Sequence, residues 1–488
     1  MSSQGPNASE SGVPARRLGQ ARTPTTTIHP SDPSGITIGR RLVAGVDLGS
    51  TGMKMLVADE HGTEVVTSQV ATPWRQGPGG TTEMDAASLV DTVLRVIAAA
   101  ARDVAELTDA RIEAIAISGM GETGMLIDDR GDAATSAFAW FDPRGAEQAE
   151  AFSPWIRAGF AGHTGLPLGA QVTVSKLAYL RDNGLSLAGL RWLNLPEFVA
   201  MALGGRVALE HSLTSRTGLI DQDSGQPWTA MLRELGCDQS LLPPMLAAGA
   251  SFGWANSADL PANVQGALLT VAGHDHLVAA EANGPLPKEH YHVSMGTAEV
   301  LLRVIDHPLG YEARARLADS LINEVRHVVP GKHVLVAGVK SGLVMRRILQ
   351  AAGINDRTGR DRLDSDVINL PYEGRAASAI ELSGARNDDG VLHLAVRGDG
   401  VSPAEIFAAA LRHTNDEIAR LIEAMDRELP PARGSTLTGG WAGMAAVRRA
   451  RERVLPHMTV SNREQETAFG AARVASRLLL SVPHSLSQ

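Results

Sequence analysis

Two hairpin-like units, each with a corner of small residues, most constrain the fold of this chain. Leu42 to Ala58 contains two apolar segments on either side of the corner Gly49-Ser50-Thr51-Gly52. His292 to Val304 repeats that order around the corner Gly296-Thr297. A short apolar segment bounded by glycine and small polar residues predicts a buried strand. The chain is therefore predicted to consist of two similar halves, each led by a β-hairpin.

The segments between the two hairpins mix further strands with helices. Thr63 to Val70 predicts a third strand of the first sheet, and Ile112 to Ser118 predicts another. Asp85 opens an apolar-periodic helix that runs to about Glu106, and Arg412 to Glu428 predicts a long amphipathic helix. The predicted fold class is therefore α/β. Two such lobes with a cleft between them form a natural binding site for a nucleotide.

Composition limits the classes of partner and compartment. The 488 residues carry a formal net charge of −9, so nothing points to nucleic acid as a general partner. Cys237 is the only cysteine, which excludes a disulfide within the chain and fits a reducing compartment. No run of 18 apolar residues is present, so no membrane span is predicted. We expect a cytoplasmic protein.

Composition also divides the chain. Residues 1–40 are rich in Pro, Ser, Thr and Gly and lack hydrophobic periodicity, which predicts a disordered extension. The length beyond that extension is typical of two or three domains. We expect a first lobe over residues 41–283, with substrate and phosphate sites, and a second, nucleotide-binding lobe over residues 284–488.

The first corner has the chemistry of a phosphate site. Glycines let backbone N–H groups approach phosphate oxygens, Ser50 and Thr51 add hydroxyl donors, and Lys54 adds positive charge. Asp47, at the end of the preceding strand, can hold Mg²⁺ through water. A plain hairpin turn with an ordinary salt bridge is the alternative. The second corner strengthens the phosphate interpretation, because the two could face each other across a cleft.

Asp275 is the candidate general base. It follows an apolar run within Gly273-His274-Asp275-His276. Phosphoryl transfer to a hydroxyl needs a carboxylate within hydrogen-bond reach of that hydroxyl. The His-x-His spacing leaves a metal site open as a less favoured reading, because no third ligand is evident.

Taken in order, these motifs resemble the FGGY family of carbohydrate kinases, over residues from about Arg41 to about Leu480. The resemblance implies two actin-like, ribonuclease-H-like domains that flank a nucleotide cleft. It further implies phosphorylation of a sugar (ketose) or polyol hydroxyl, with ATP and Mg²⁺ as cofactors. Homodimers are frequent in that family. A ketopentose, a related ketose and a four- or five-carbon polyol all stay open as substrates.

The resemblance also implies roles for individual residues. Asp275 is the implied catalytic base and, with Asp47, a Mg²⁺ ligand through water. The implied phosphate and nucleotide residues are Gly49, Ser50, Thr51, Lys54, Gly296, Thr297, Gly342, Arg346, Gly439 and Gly440. The implied substrate residues are Gly121, Glu122, Asp142, Arg144 and His276.

Two departures from the family pattern bear on specificity. Xylulokinases typically carry Met-His and glycerol kinases Arg-Glu where this chain has Gly121-Glu122. The adenosine segment, Gly439 to Gly443, lacks the usual third glycine, so a strict preference for ATP is less supported than phosphate binding.

Two other function classes stay open. One is an ATP-driven conformational machine of the actin or Hsp70 type, which would share the phosphate corners without a polyol pocket. The acidic residues Glu122, Asp142 and Asp275 argue against it, as does His276. The other is a sugar-binding regulator that has lost catalysis, against which the intact Asp275 argues.

Overall fold

A computed structural model describes residues 23–29, 41–371, 379–385, 393–461, 463 and 465–482. Its strands are β1 (Thr25–Ile28), β2 (Leu42–Leu48), β3 (Gly52–Asp59), β4 (Glu64–Ala71), β5 (Arg75–Gln76), β6 (Thr82–Met84), β7 (Ile112–Gly119), β8 (Gly124–Ile127), β9 (Ala137–Phe138), β10 (Arg191–Asn194), β11 (Leu209–Glu210), β12 (Met245–Leu246), β13 (Ser251–Trp254), β14 (Leu268–His274), β15 (His290–Met295), β16 (Glu299–Ile305), β17 (Ile322–Arg326), β18 (His333–Val339), β19 (Ile380–Ser383), β20 (His393–Val396), β21 (Gly434–Thr438) and β22 (Met458–Val460).

The α-helices of the described residues lie mainly on the faces of two large sheets. They are α1 (Ala86–Leu107), α2 (Ala146–Ala151), α3 (Pro154–Thr164), α4 (Thr173–Asp182), α5 (Leu195–Ala202), α6 (His211–Thr214), α7 (Thr229–Glu234), α8 (Asp275–Ala280), α9 (Tyr311–Asp319), α10 (Ser341–Ala351), α11 (Arg357–Asn369), α12 (Pro403–Asp426), α13 (Ala445–Arg451) and α14 (Glu466–Ser481). A short 3-10 helix, Gly440–Gly443, follows β21.

The two large sheets share one topology. The first has the order β1-β4-β3-β2-β7-β14-β13, and the second has the order β17-β18-β16-β15-β21-β22. In each, three antiparallel strands lead into two parallel ones: β4-β3-β2 then β7-β14, and β18-β16-β15 then β21-β22. The predicted two-lobed α/β repeat is therefore confirmed.

The central strands are buried along their whole length because helices cover both faces of each sheet. Every residue of β2 is buried, and so is every residue of β14. Helix α1 begins where Asp85 accepts a hydrogen bond from the Ser88 amide at 2.8 Å, as predicted. The other long helix, α12, begins earlier than predicted, at Pro403, because Ser402 and Glu405 form a capping box there.

The last helix does not stay with the second lobe. Helix α14 packs against β2, β7 and α8 of the first lobe. Its small residues Ala468, Ala471, Ala472 and Ala475 share an apolar cluster with that sheet. Helix α14 falls inside the expected second lobe of residues 284–488 but crosses back, because its alanine face allows close packing on the first sheet. The domain boundary itself stays a prediction.

The predicted disordered extension also needs correction for residues 23–29. Strand β1 pairs antiparallel with β4, with Thr25 opposite Gln69 and Ile28 opposite Val66. His29 adds a 2.9 Å hydrogen bond to Thr67 Oγ1. A run of β-branched threonines gains backbone partners at a sheet edge even without an apolar core to enter. Residues 1–22 and 30–40 lie outside the described part of the chain.

No helix in the described residues is long and apolar enough to cross a membrane.

Candidate active site

A cavity of about 720 Å³ contains both predicted phosphate corners. Gly49, Ser50, Thr51 and Lys54 of the first lobe line it. Gly296 and Thr297 line it from the second lobe. The fold brings the corners together because each connects the first two strands of its own sheet. A volume of this size is typical of small-molecule sites.

Hydrogen bonds hold the backbone of the first corner in place. Thr72 Oγ1 donates to the Gly49 carbonyl at 2.6 Å. Trp74 Nε1 donates to the Ser50 carbonyl at 2.7 Å. The carbonyl groups of the corner are therefore used by the protein, which fixes the loop before any ligand binds.

The second corner is supported by glycines that lie behind it. A Cβ on Gly342 would come within 1.9 Å of the Gly296 carbonyl oxygen. Gly439, with φ of +91°, would place a Cβ 2.5 Å from the Met295 carbonyl oxygen. Neither glycine lines the cavity, and neither do Arg346 and Gly440, which are exposed. Close backbone packing accounts for Gly342 and Gly439, and the predicted role of all four residues at the nucleotide stays a prediction.

Asp47 lies at the inner end of the cavity. It sits on β2 directly opposite Lys54 of β3, and its Oδ1 is buried without a hydrogen-bond partner among the described residues. Burial raises the pKa of Asp47 to about 7; Lys54 opposes that shift and the nearby Asp275 carboxylate adds to it. An orphaned buried carboxylate oxygen beside the predicted phosphate corner fits a group that holds Mg²⁺ through water.

Asp275 is the first residue of α8, not the last residue of a strand. Its Oδ1 accepts a 2.7 Å hydrogen bond from the His276 amide and lies 3.5 Å from His274 Nε2. Burial works to raise the pKa of Asp275, but His276, His274, that hydrogen bond and Arg216 together hold the pKa below its usual value. The carboxylate is therefore ionised at neutral pH and can accept a proton.

A buried polar network fixes the backbone that carries Asp275. Gly273 has φ of +108°, and a Cβ there would lie 2.6 Å from Ser212 Oγ. Ser118 Oγ donates to the Gly273 carbonyl at 2.9 Å. Ser212 Oγ accepts from the His274 amide at 3.1 Å and donates to Glu210 Oε2 at 2.6 Å. Sequence inspection missed this network because its members are far apart along the chain.

Three of the five predicted substrate residues line the cavity: Gly121, Glu122 and His276. His274 lines it too, and burial lowers its pKa well below the ordinary value. Among the described residues, no group of three His, Cys, Asp or Glu side chains is placed to hold a metal ion.

Asp142 and Arg144 do not line the cavity, and their role at the substrate stays a prediction. Their side chains form a two-pronged ion pair, with Arg144 Nη2 2.7 Å from Asp142 Oδ2. Asp142 also accepts from the Thr82 amide at 2.6 Å, and Arg144 lies over the Phe138 ring. The buried carboxylate is thus satisfied within the protein, and the pair holds the loop that presents Trp140 to the cavity.

Several cavity residues were not predicted. Arg216 forms an ion pair with Glu122, and Gln171 lies on the same wall. Thr23 and Thr25 reach the cavity from the N-terminal strand. Arg216 and Gln171 stand in loops without a recognisable motif, and the threonines belong to a segment with the composition of a disordered tail, so no sequence signal pointed to them.

The first lobe matches a protein-family model. Residues 42–280 match the model described as "FGGY family of carbohydrate kinases, N-terminal domain". The chain belongs to the FGGY family of carbohydrate kinases. The match covers the first corner, the Gly121-Glu122 turn and Asp275.

Curated FGGY relatives are distant in sequence. L-fuculokinase of Escherichia coli K12 is 24% identical over 277 residues, which are 54% of this chain and 56% of that protein. Gluconokinase of Bacillus subtilis is 23% identical over 184 residues, which are 36% of this chain and 34% of that protein. The chain thus matches less than two thirds of the length of each. A glycerol kinase of Xanthobacter autotrophicus is 25% identical over 83% of this chain and 82% of its own length.

Solved structures of FGGY kinases share the fold. A xylulose kinase from Brucella ovis superimposes with a TM-score of 0.76 at 19% identity, covering 91% of each chain. Plasmodium falciparum glycerol kinase with ADP gives a TM-score of 0.77 at 16% identity, covering 92% of each chain. These likenesses confirm the predicted architecture of two actin-like domains.

Proposed function

We propose that this FGGY family member transfers the γ-phosphoryl group of ATP to a hydroxyl of a sugar or polyol. The observation that best supports this proposal is the position of Asp275. Its ionised carboxylate lies in the cavity that both small-residue corners and Glu122 also line. Names of curated relatives, among them L-fuculokinase and glycerol kinase, support the same class of reaction.

In the proposed reaction, Asp275 accepts the proton of the substrate hydroxyl as its oxygen attacks the γ-phosphorus. The new oxygen–phosphorus bond forms while the bond to the β-phosphate oxygen breaks, and ADP leaves with that electron pair. The corners at Gly49–Gly52 and Gly296-Thr297 position the phosphates with backbone amides and hydroxyls, and Lys54 offsets their charge. Mg²⁺, when bound near Asp47, would neutralise charge on the phosphate oxygens.

The test is ADP release in a coupled assay with Mg-ATP and a panel of D-xylulose, L-fuculose, glycerol and xylitol. We expect turnover with at least one panel member, and a loss of roughly 10²- to 10⁴-fold in Asp275→Asn because proton transfer loses its base. Asp259→Asn is the matched control, since Asp259 is exposed and does not line the cavity.

Each contrary result favours a named alternative. ATP hydrolysis that no panel member stimulates would favour the actin- or Hsp70-like machine. Sugar binding without turnover by the wild type would favour the silent regulator. Full activity in Asp275→Asn would show that another group is the base.

A further inference from the structure

A buried arginine in the cavity has no assigned role. Arg216 lies in the loop after α6, and its side chain is only 9% exposed. One end of its guanidinium pairs with Glu122 Oε1, but Nε and Nη1 have no hydrogen-bond partner among the described residues. Burying charged donors without acceptors costs several kcal/mol in stability. A ligand that supplies acceptor oxygens at Nε and Nη1 would remove that cost.

The backbone around the pair is shaped to hold it. A Cβ on Gly121 would lie 2.9 Å from Arg216 Cδ and Nε and 3.0 Å from His274 Cδ2. Glu122 has φ of +58°, which is strained for a residue with a side chain. The turn therefore accepts strain at Glu122, and a side chain at position 121 would have to push Arg216 and His274 from their observed positions.

The charges of this wall select the kind of substrate. Arg216 and Glu122 neutralise each other, while the nearby Asp275 remains anionic. A substrate carboxylate at Nε or Nη1 would add a second anion beside Glu122 and would also be repelled by Asp275. Uncharged hydroxyl groups avoid this repulsion, and a hydroxyl can accept a hydrogen bond from Arg216 and donate one to Glu122.

We propose that Arg216, paired with Glu122, is a specificity-determining residue that binds adjacent hydroxyls of an uncharged sugar or polyol and disfavours sugar acids. The inference rests on the proposed function, which it narrows to uncharged substrates. Arg216 acts through ground-state and transition-state binding of the acceptor, not through the nucleotide.

Kinetics of Arg216→Met test the proposal. We expect the KM of the best uncharged substrate to rise about 10- to 100-fold, as for the loss of hydrogen bonds to a charged group. The KM for ATP should change less than about twofold, since no hydrogen bond or ion pair among the described residues joins Arg216 to either corner. Arg216→Lys should be intermediate, because one ammonium cannot reproduce the forked donors. Arg206→Met is the control, at an exposed arginine that bonds the Ser251 carbonyl.

A substrate comparison tests the selection against charge. For the wild type, kcat/KM for D-gluconate should be at least tenfold below that for the best of D-xylulose, L-fuculose, glycerol and xylitol. A preference for gluconate would overturn the proposal. So would an unchanged KM for the uncharged substrate in a folded Arg216→Met protein.

Calorimetric binding keeps this inference separate from the proposed reaction. If Arg216→Met leaves Glu122 unpaired and does not fold, Arg216→Met combined with Glu122→Gln removes both charges and is measured instead. One outcome is that the wild type shows no turnover but the variant binds the best panel member more weakly than the wild type does. That outcome would reject the kinase reaction and support the role of Arg216 in binding. The opposite outcome is turnover in the wild type with equal substrate binding by the wild type and the variant. That outcome would support the kinase reaction and reject the role of Arg216.

Discussion

Arg451 and Glu299 form a fully buried ion pair in the second lobe. Both side chains have 0% exposure, and two nitrogens of Arg451 lie 2.7 Å from the two Glu299 oxygens. Arg451 also donates to Asn415 and Thr414 of α12. Since Glu299 begins β16 directly after the second corner, this pair ties the phosphate corner to two helices.

Arg451→Met should therefore lower the free energy of unfolding by about 3–5 kcal/mol, because it leaves the Glu299 carboxylate buried without its partner. The measurement is urea unfolding followed by circular dichroism. Arg427→Met is the control: its pair with Glu423 is exposed and should contribute about 0–1 kcal/mol. Equal losses in the two variants would contradict a structural role for the buried pair.

Helix α14 is the element that joins the end of the chain to the first sheet. Gly45, in the middle of β2, lies directly beneath it, and a Cβ on Gly45 would approach the Ala468 carbonyl oxygen to 1.9 Å. Such a contact cannot be relieved by a side-chain rotation, because the obstructing atom belongs to the helix backbone. The strand and the helix would have to separate.

We expect Gly45→Ala to destabilise the protein by at least about 1–3 kcal/mol, the usual cost of overpacking a core. Thermal unfolding measured by differential scanning fluorimetry would show it. Gly443→Ala provides the comparison, since nothing lies within 4 Å of a Cβ there. A Gly45→Ala protein as stable as the wild type would mean that α14 is not packed closely on β2.

The two lobes are joined on one side by α3 of the first lobe and α9 of the second. Arg314 of α9 is fully buried and pairs with Asp223 of the first lobe at 2.6 Å. It also donates to the Gly162 carbonyl of α3 at 2.7 Å. The Tyr311 ring packs over Gly162, where a Cβ would lie 2.3 Å from it. This contact links the lobes whose corners form the cavity.

Removing Arg314 should loosen that link. In Arg314→Met we expect the first-lobe and second-lobe unfolding transitions to separate in scanning calorimetry, because the buried guanidinium no longer couples them. Arg316→Met, on the same helix, is the matched control: Arg316 pairs with Glu428 inside the second lobe and should leave the transitions coupled. A single unshifted transition in Arg314→Met would show that other contacts couple the lobes.

The two-lobed α/β repeat and the meeting of the corners at Gly49 and Gly296 could be predicted from the amino-acid sequence. These follow from local signals, namely apolar strand segments and glycine corners, which the two halves share in order. Asp275 could also be singled out, because it directly follows an apolar strand. Its role as the base stays a prediction until the kinetics are measured.

The other features of the site and of the packing could not be predicted, because they depend on contacts between residues far apart in the chain. Arg216 reaches Glu122 across almost a hundred positions, and no local pattern distinguishes it from other loop arginines. Asp142 does not line the cavity, and Arg144 and a backbone amide satisfy its carboxylate. Helix α14 packs on a face of the first sheet, and strand β1 pairs with β4 at the edge of that sheet. Composition alone cannot specify either contact.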